Sequence, residues 1–406
     1  MEHKYDVAII GAGPSGMMAA IQASKNDKSV VLIDRNRIPG QKLLMTGKGR
    51  CNITNAQFDL HELVKSYGKN GKFLYHAFSE FGPKETMNFF SELVLKVERG
   101  NRVFPKSDDA KHVLKFLNKR LKNVKTLYGI DVLKIIKKGN KIEKLILSDR
   151  ELIADRYIVC TGGKSYPQTG SNGDGYVWLE YLGHKVVEPA PALVPMKITE
   201  DWPKSLQGLG LKNVQITFKQ DKVIEKVFGE CIFTHFGISG PIVLLASEKV
   251  GEYLRKGSVK AFLDLKPALD IKTLDLRVQR DFKRYANKSF INSLDELFPK
   301  KIIPMIVNMS GIDPQKKANL ITKEERKKIV YLIKNVEMTV EDLMGFDWAI
   351  VTKGGVNLKE IDSNTMKSRI IDNLYFAGEV IDINGITGGF NLQSCWSTGY
   401  LAGISV

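Results

Sequence analysis

The feature that most constrains this chain is four apolar residues, Val7–Ile10, running straight into GAGPSG at Gly11–Gly16. A continuous apolar run of this kind is the signature of a central parallel strand buried on both faces. Met17–Ser24 is rich in small and apolar residues and reads as a helix. Val30–Ile33 reads as a second buried strand that ends at Asp34. Strand, tight turn, helix and strand make one βαβ unit, which commits this part of the chain to a parallel α/β sheet.

The turn has the form G-x-G-x-x-G, and each glycine has a physical task. Gly11 permits the tight turn. Gly13, with no side chain, lets a pyrophosphate approach the backbone, and Gly16 lets the helix pack closely on the strand. Ser15 lies inside the same turn. The helix start offers free N–H groups and the positive end of its dipole to the phosphates. Asp34 stands at the second strand's end, about 20 residues on, where a carboxylate accepts hydrogen bonds from ribose hydroxyls. This combination predicts a bound dinucleotide.

Further segments bear on which dinucleotide. LYFAGEVID closes a strand, Leu374–Phe376, with Gly378-Glu379. In flavoproteins of this broad type an Ala-Gly-Asp at such a strand end sets N–H groups on the phosphates and its acid on the ribityl chain. Here the acid is Glu379, one methylene longer, and Asp382 is an alternative partner for the ribityl hydroxyls. GITGGFNLQ, Gly385–Gln393, opens a final helix, Phe390–Ala402, whose N-terminus would stabilise negative charge on a reduced flavin ring. Gly40–Asn55, GQKLLMTGKGRCNITN, reads as an ordered cationic loop. TGGKSYPQTGSNGDG, Thr161–Gly175, follows the short strand Tyr157–Cys160 and begins with a further cofactor contact.

The 406 residues leave room for two or three domains at roughly 150 residues each. A hydrophobic content of 43% and a charged content of 26% exclude general disorder. EPAPALVP, Glu188–Pro195, reads as a linker. The fold expected is α/β: one Rossmann-like domain split in sequence, with a β-rich piece and a helical piece between its parts. Its first part covers 1–190, the β-rich insertion 191–270, the helical subdomain 271–345 and the C-terminal part of the FAD domain 346–406. KEERKK, Lys323–Lys328, reads as an exposed helix face, and Trp348–Val351 as a strand.

GAGPSG, TGKGRCNITN, TGGKSYPQTGSNGDGY, FTHFGISGP and FAGEVIDINGITGGFNLQ together resemble a family of bacterial FAD-dependent oxidoreductases of the two-dinucleotide-fold flavoprotein class. Aminoacetone oxidases and a reductase of bile-acid dehydroxylation are among its members. The resemblance covers essentially the whole chain, and the architecture it implies is α/β: a split Rossmann-like FAD-binding domain with an inserted β-barrel-like domain and a helical subdomain. It implies FAD contacts at Gly11, Gly13, Ser15, Gly16, Asp34, Arg35, Lys42, Thr46, Arg50, Asn52, Gly162, Gly378, Glu379, Gly389, Asn391 and Leu392.

The chemistry not encoded narrows the function. No second G-x-G-x-x-G is present, so NADH or NADPH would dock only transiently as donor. The four cysteines form no C-x-x-C pair, which argues against a redox disulfide and fits a reducing, cytoplasmic setting. No metal motif occurs among the six histidines. No apolar run is long enough to span a membrane, and no signal-peptide layout is apparent. His235 in FTHFGISGP and Lys353 in VTKGGV are the candidates for a proton-handling residue. The expected function is an FAD-dependent oxidoreductase acting on a small organic substrate, with an NAD(P)H-dependent reductase preferred to an O2-dependent amine or aminoketone oxidase. A tRNA-modifying flavoprotein is the alternative of another class. The net charge of +16 suits a polyanion, but no basic motif with interleaved aromatics is present, so nucleic acid is not the expected partner. The sequence carries no signal for oligomeric state.

Overall fold

A computed structural model describes residues 3–406. The chain divides into two compact units. One takes in the chain up to Ala192 together with Phe346–Val406, and the other is Leu193–Gly345.

The first unit is built on a seven-stranded sheet. Its parallel part runs Lys125–Tyr128, Val30–Asp34, His3–Ile10, Glu151–Val159, with Leu374–Phe376 also paired to Glu151–Val159. Val132–Lys138 and Lys141–Leu147 add an antiparallel hairpin beside the first residues of Glu151–Val159. Val7, Ala8, Ile9, Leu32, Ile158 and Phe376 have no exposed surface, as a parallel sheet covered on both faces requires. The covering helices are Pro14–Ala23 and Phe390–Ser405. They approach closely because glycines face the contact. A Cβ on Gly399 would lie 2.5 Å from the Ser15 carbonyl oxygen, and one on Gly403 would lie 2.6 Å from that of Ala19. Trp396 anchors the last helix. It is fully buried, and its indole N–H donates to the Ile53 carbonyl at 2.9 Å. Truncating such a side chain to alanine costs about 3–5 kcal/mol.

The second unit contains a closed antiparallel barrel of Met196–Ile198, Gly237–Ser239, Val223–Thr234, Gly210–Lys219, Val259–Asp264 and Val336–Leu343. The helices Ile271–Arg284, Ile303–Ser310 and Lys323–Lys334 lie in sequence between its last two strands. KEERKK opens the third of these with a capping box, in which the Glu325 N–H donates to Thr322 Oγ1 and the Thr322 N–H to Glu325 Oε2.

Three local expectations change. The region 271–345 does not stay helical to its end: Val336, Met338 and Val340 are buried while Glu337 and Glu341 are exposed, a period of two that makes Val336–Leu343 a barrel strand. The proline-rich segment is a strand for most of its length, Val186–Ala192, paired with Val351–Val356 in a two-stranded ribbon. Val186–Ala192 pairs along one edge only, so a proline there loses no ladder bond when it faces the open edge. Phe346–Trp348 is a short 3-10 turn, and the strand begins at Val351.

A buried histidine fastens the loop before Leu374–Phe376. The Ser368 hydroxyl oxygen accepts N–H bonds from Ile370 and Ile371, which directs its own hydrogen to His184 Nε2 at 2.9 Å. His184 Nδ1 then donates to Glu360 at 3.1 Å. The imidazole is therefore neutral, and burial, partly opposed by Glu360, holds its pKa below the ordinary 6.5. A histidine depressed in the folded state contributes stability above its unfolded pKa and loses it as pH falls. Urea unfolding between pH 8 and 5 should show a smaller acid-side loss in His184→Gln than in the wild type; equal losses would remove His184 from this role.

Candidate functional site: a dinucleotide cavity in the Rossmann unit

The strand–turn–helix has the geometry its glycines suggest. Gly11 has φ +103°, and a Cβ there would lie 2.4 Å from the Cys160 carbonyl oxygen. A Cβ on Gly16 would lie 1.8 Å from the Gly11 oxygen. A Cβ on Gly13, by contrast, would meet nothing within 4 Å. Gly13 faces a cavity of about 440 Å³ at the N-terminus of Pro14–Ala23. The turn is thus closed by backbone contact at two glycines and open at the third.

Asp34 lines this cavity. One carboxylate oxygen accepts from the Ala12 N–H at 2.6 Å and the other from the Asn36 N–H at 2.8 Å. Burial raises its pKa above the ordinary carboxylate value, against the pull of those N–H groups. Each oxygen keeps a lone pair for a ribose hydroxyl. Arg35, on the same rim, is held by Asp131 at 3.0 Å and Asp174 at 2.7 Å.

Glu379 also lines the cavity, but its carboxylate is already engaged. It accepts from Thr352 N–H at 2.6 Å, Ser165 Oγ at 3.2 Å, Lys42 Nζ at 3.2 Å and, more weakly, Gly163 N–H at 3.4 Å. Four donors nearly exhaust the acceptor capacity of two oxygens. Glu379 therefore ties together three segments of the cavity wall and fixes the Lys42 ammonium in it. Asp382 accepts from Asn70 at 3.1 Å and is not part of the cavity lining.

Of the residues named from sequence, Gly11, Gly13, Ser15, Asp34, Arg35, Lys42, Thr46, Gly162, Glu379, Asn391 and Leu392 line the cavity. Gly16, Arg50, Asn52, Gly378 and Gly389 lie outside the lining. Gly378 is pressed on Ser15, where a Cβ would be 2.4 Å from its hydroxyl oxygen, and Gly389 on the backbone of Thr54 at 2.4 Å. Arg50 is bound to Glu98 at 2.9 Å and to Asp108 at 3.3 Å, with its guanidinium 4.1 Å from the Phe104 ring centroid. The Asn52 Oδ1 and the Thr161 Oγ1 are buried without a hydrogen-bond partner, and Thr161 lines the cavity. Lys353, on Val351–Val356, is not in the lining, and His235 sits exposed at a turn in the second unit.

Sequence reasoning missed Tyr166, Trp178 and Cys395, which line the cavity. The glycine-dense loop before Trp178 was the available signal; nothing local marked Cys395. The thiols of Cys51 and Cys395 are pushed up to about 12 by burial, which leaves them protonated and poorly nucleophilic at neutral pH. Among the described residues, no group of three His, Cys, Asp or Glu side chains could hold a metal ion, and no helix is long and apolar enough to cross a membrane.

An open Gly13 at a helix start, a cavity-lining carboxylate with acceptor capacity to spare, a fixed cation and an orphaned buried hydroxyl fit FAD. The fold and site define a flavin-dependent oxidoreductase with a split Rossmann domain. The profile of the HI0933-like protein Rossmann domain matches residues 5–405, and the chain belongs to that family. A 3-dehydro-bile acid delta(4,6)-reductase from Clostridium scindens is 33% identical to it over 98% of both chains. The ribosomal RNA dihydrouridine synthase of Escherichia coli is 29% identical, covering 98% of this chain and 96% of its own. That of Haemophilus influenzae is 30% identical, covering 98% and 97%. Among solved structures, a 3-ketosteroid delta1-dehydrogenase from Sterolibacterium denitrificans shares the fold with a TM-score of 0.55 at 12% identity, over 98% of each chain.

Two substitutions test the site. Gly13→Val should leave a folded apoprotein that retains no FAD, because the added methyls enter the open cavity; flavin content equal to wild type would show that the cofactor lies elsewhere. Asp34→Ala should weaken FAD binding by about 1.5–3 kcal/mol, the range for a lost hydrogen bond to a charged group, as read by flavin release on dilution. An unchanged affinity would remove Asp34 from the ribose contact.

Proposed function

We propose that this flavoenzyme is a reductase that saturates a carbon–carbon double bond conjugated to a carbonyl group, with NADH or NADPH as the donor. The observation that carries the reading is full-length likeness to two kinds of relative with one chemistry in their names. One is named for reducing the Δ4,6 bonds of a 3-dehydro-bile acid, the other for making dihydrouridine, which is uridine with its ring double bond reduced. In both, the bond reduced is polarised by a conjugated carbonyl. The net reaction consumes one NAD(P)H and one proton and adds two hydrogens across the bond.

FAD, when bound, supplies hydride transfer between donor and acceptor. The chain's own residues bind and orient. The helix start at Gly13 and the Lys42 ammonium offset phosphate charge, Asp34 holds the ribose, and the Glu379 contacts keep the wall segments in place. The absence of a second glycine-rich nucleotide motif suits a donor that docks briefly and leaves before the acceptor enters.

A small organic enone is the first substrate reading. A uracil base within RNA is the second, favoured by the net charge of +16 and by the two ribosomal RNA-modifying relatives. Anaerobic titration of the purified yellow protein with NADH, then NADPH, should bleach the flavin band, and an added cyclic enone should restore it. A flavin that neither nucleotide bleaches would contradict the reductase reading and point to an oxidase reduced by its own amine substrate.

A further inference from the structure

Charge on this protein is not evenly spread. From Ala110 to Ile130 the chain carries five lysines and one arginine and no Asp or Glu. Most of that run is the helix Ala110–Arg120 of the Rossmann unit. Its buried residues, Val113, Leu114, Phe116 and Leu117, face the core. At 100° per residue, Lys111, Lys115 and Lys119 fall on the opposite side, and Lys122 and Lys125 continue past the helix end onto the edge strand Lys125–Tyr128. All five are exposed. Arg120 does not belong to this row: it is bound to Glu92 at 2.7 Å and lies 3.5 Å from the Phe116 ring centroid.

Ordinary helix electrostatics accounts for only part of the row. A cation in the last turn, such as Lys119, is favoured by the helix dipole. Lys111 sits in the first turn, where the dipole disfavours it. Three other cations near the cavity are neutralised within the fold, Arg35 by Asp131 and Asp174, Lys42 by Glu379 and Arg50 by Glu98 and Asp108, while Lys48 is an exposed cation of the cavity lining itself. The lysine row spans about 12 Å from Lys111 to Lys119, and no acid of its own run opposes it. The helix is also close to the cofactor site. Its Leu114 Cδ1 lies 2.9 Å from where a Cβ on Gly40 would stand, at the start of the Gln41–Met45 segment that lines the cavity.

We infer that the exposed row Lys111, Lys115, Lys119, Lys122 is a docking surface for the phosphate backbone of RNA. It would deliver a uracil-bearing strand to the unit that holds the flavin, and it rests on the second substrate reading above. The row reads charge and not sequence, since lysines contact phosphates as point charges. Base selection falls to the cavity.

The test compares wild type with a Lys111→Gln, Lys115→Gln, Lys119→Gln, Lys122→Gln variant, using in vitro-transcribed ribosomal RNA as probe and a range of salt concentrations. These side chains are exposed, so the variant should match wild type in far-ultraviolet circular dichroism and in bound FAD. Loss of four phosphate contacts should lower the magnitude of the log affinity against log salt slope by about 3 and weaken binding about tenfold or more at low salt. A control carrying Lys323→Gln, Lys327→Gln and Lys328→Gln, on a helix of the other unit, should bind as wild type does. Wild-type binding with an unchanged slope in the quadruple variant would overturn the docking surface alone. Failure of the wild type to bind the transcript in a salt-dependent way would overturn the RNA substrate reading with it. Loss of binding to phosphatidylserine vesicles, with RNA binding intact, would assign the row to a membrane surface and overturn the proposal.

Discussion

The contact on which the Rossmann unit depends is the one between the first helix and the strand that precedes it. With a virtual Cβ at Gly16 only 1.8 Å from the Gly11 oxygen, no side chain can stand there. That closeness sets the helix start directly over the strand end and brings Cys160, at the end of the neighbouring strand, against Gly11. The last helix repeats the device through Gly399 and Gly403. Because these contacts are backbone to backbone, the one glycine left unfilled, Gly13, opens on the cavity. The open space at this turn is left by how tightly the glycines around it are closed.

Charge follows a similar logic. Asp34 keeps acceptor capacity toward the cavity while N–H groups of Ala12 and Asn36 hold its orientation. Glu379 does the reverse. It sits at the position where related flavoproteins present an acid to the ribityl chain, yet its bonds go to Thr352, Ser165, Lys42 and Gly163. Its carboxylate is bonded into the wall, where it holds Lys42. Glu379 thus lines the cavity with most of its acceptor capacity used inside the fold, and it fixes a cation there.

Much of this was legible in the sequence because the signals are local. Val7–Ile10, the glycine triplet and Asp34 specify strand, turn, helix and carboxylate within one stretch of chain, and Phe390–Ser405 announces itself through small residues and a glycine entry. What was not legible depends on pairing between distant segments. The prolines near Pro189 look like a linker until Val351–Val356 supplies a strand that accepts them on one edge. Val336–Leu343 continues a helical region, and only its alternation of buried and exposed residues betrays the barrel. Arg50 and Lys42 are both cations of one loop. Which of them reaches the cavity is decided by Glu98 and Asp108 on one side and Glu379 on the other, and no spacing in Gly40–Asn55 encodes those partners. Trp178 and Cys395 reach the lining from helix positions just past the two marked segments, Thr161–Gly175 and Gly385–Gln393, so neither was itself marked.

The central claim is that one dinucleotide lies across the open glycine of the first turn, with its ribose on Asp34. A crystal structure of the purified holoprotein tests this most directly. The account predicts FAD density with the pyrophosphate over Gly13 at the start of Pro14–Ala23 and a ribose hydroxyl within hydrogen-bond distance of Asp34. Density for the flavin dinucleotide away from that turn, or an occupied site that leaves Gly13 and Asp34 untouched, would contradict it.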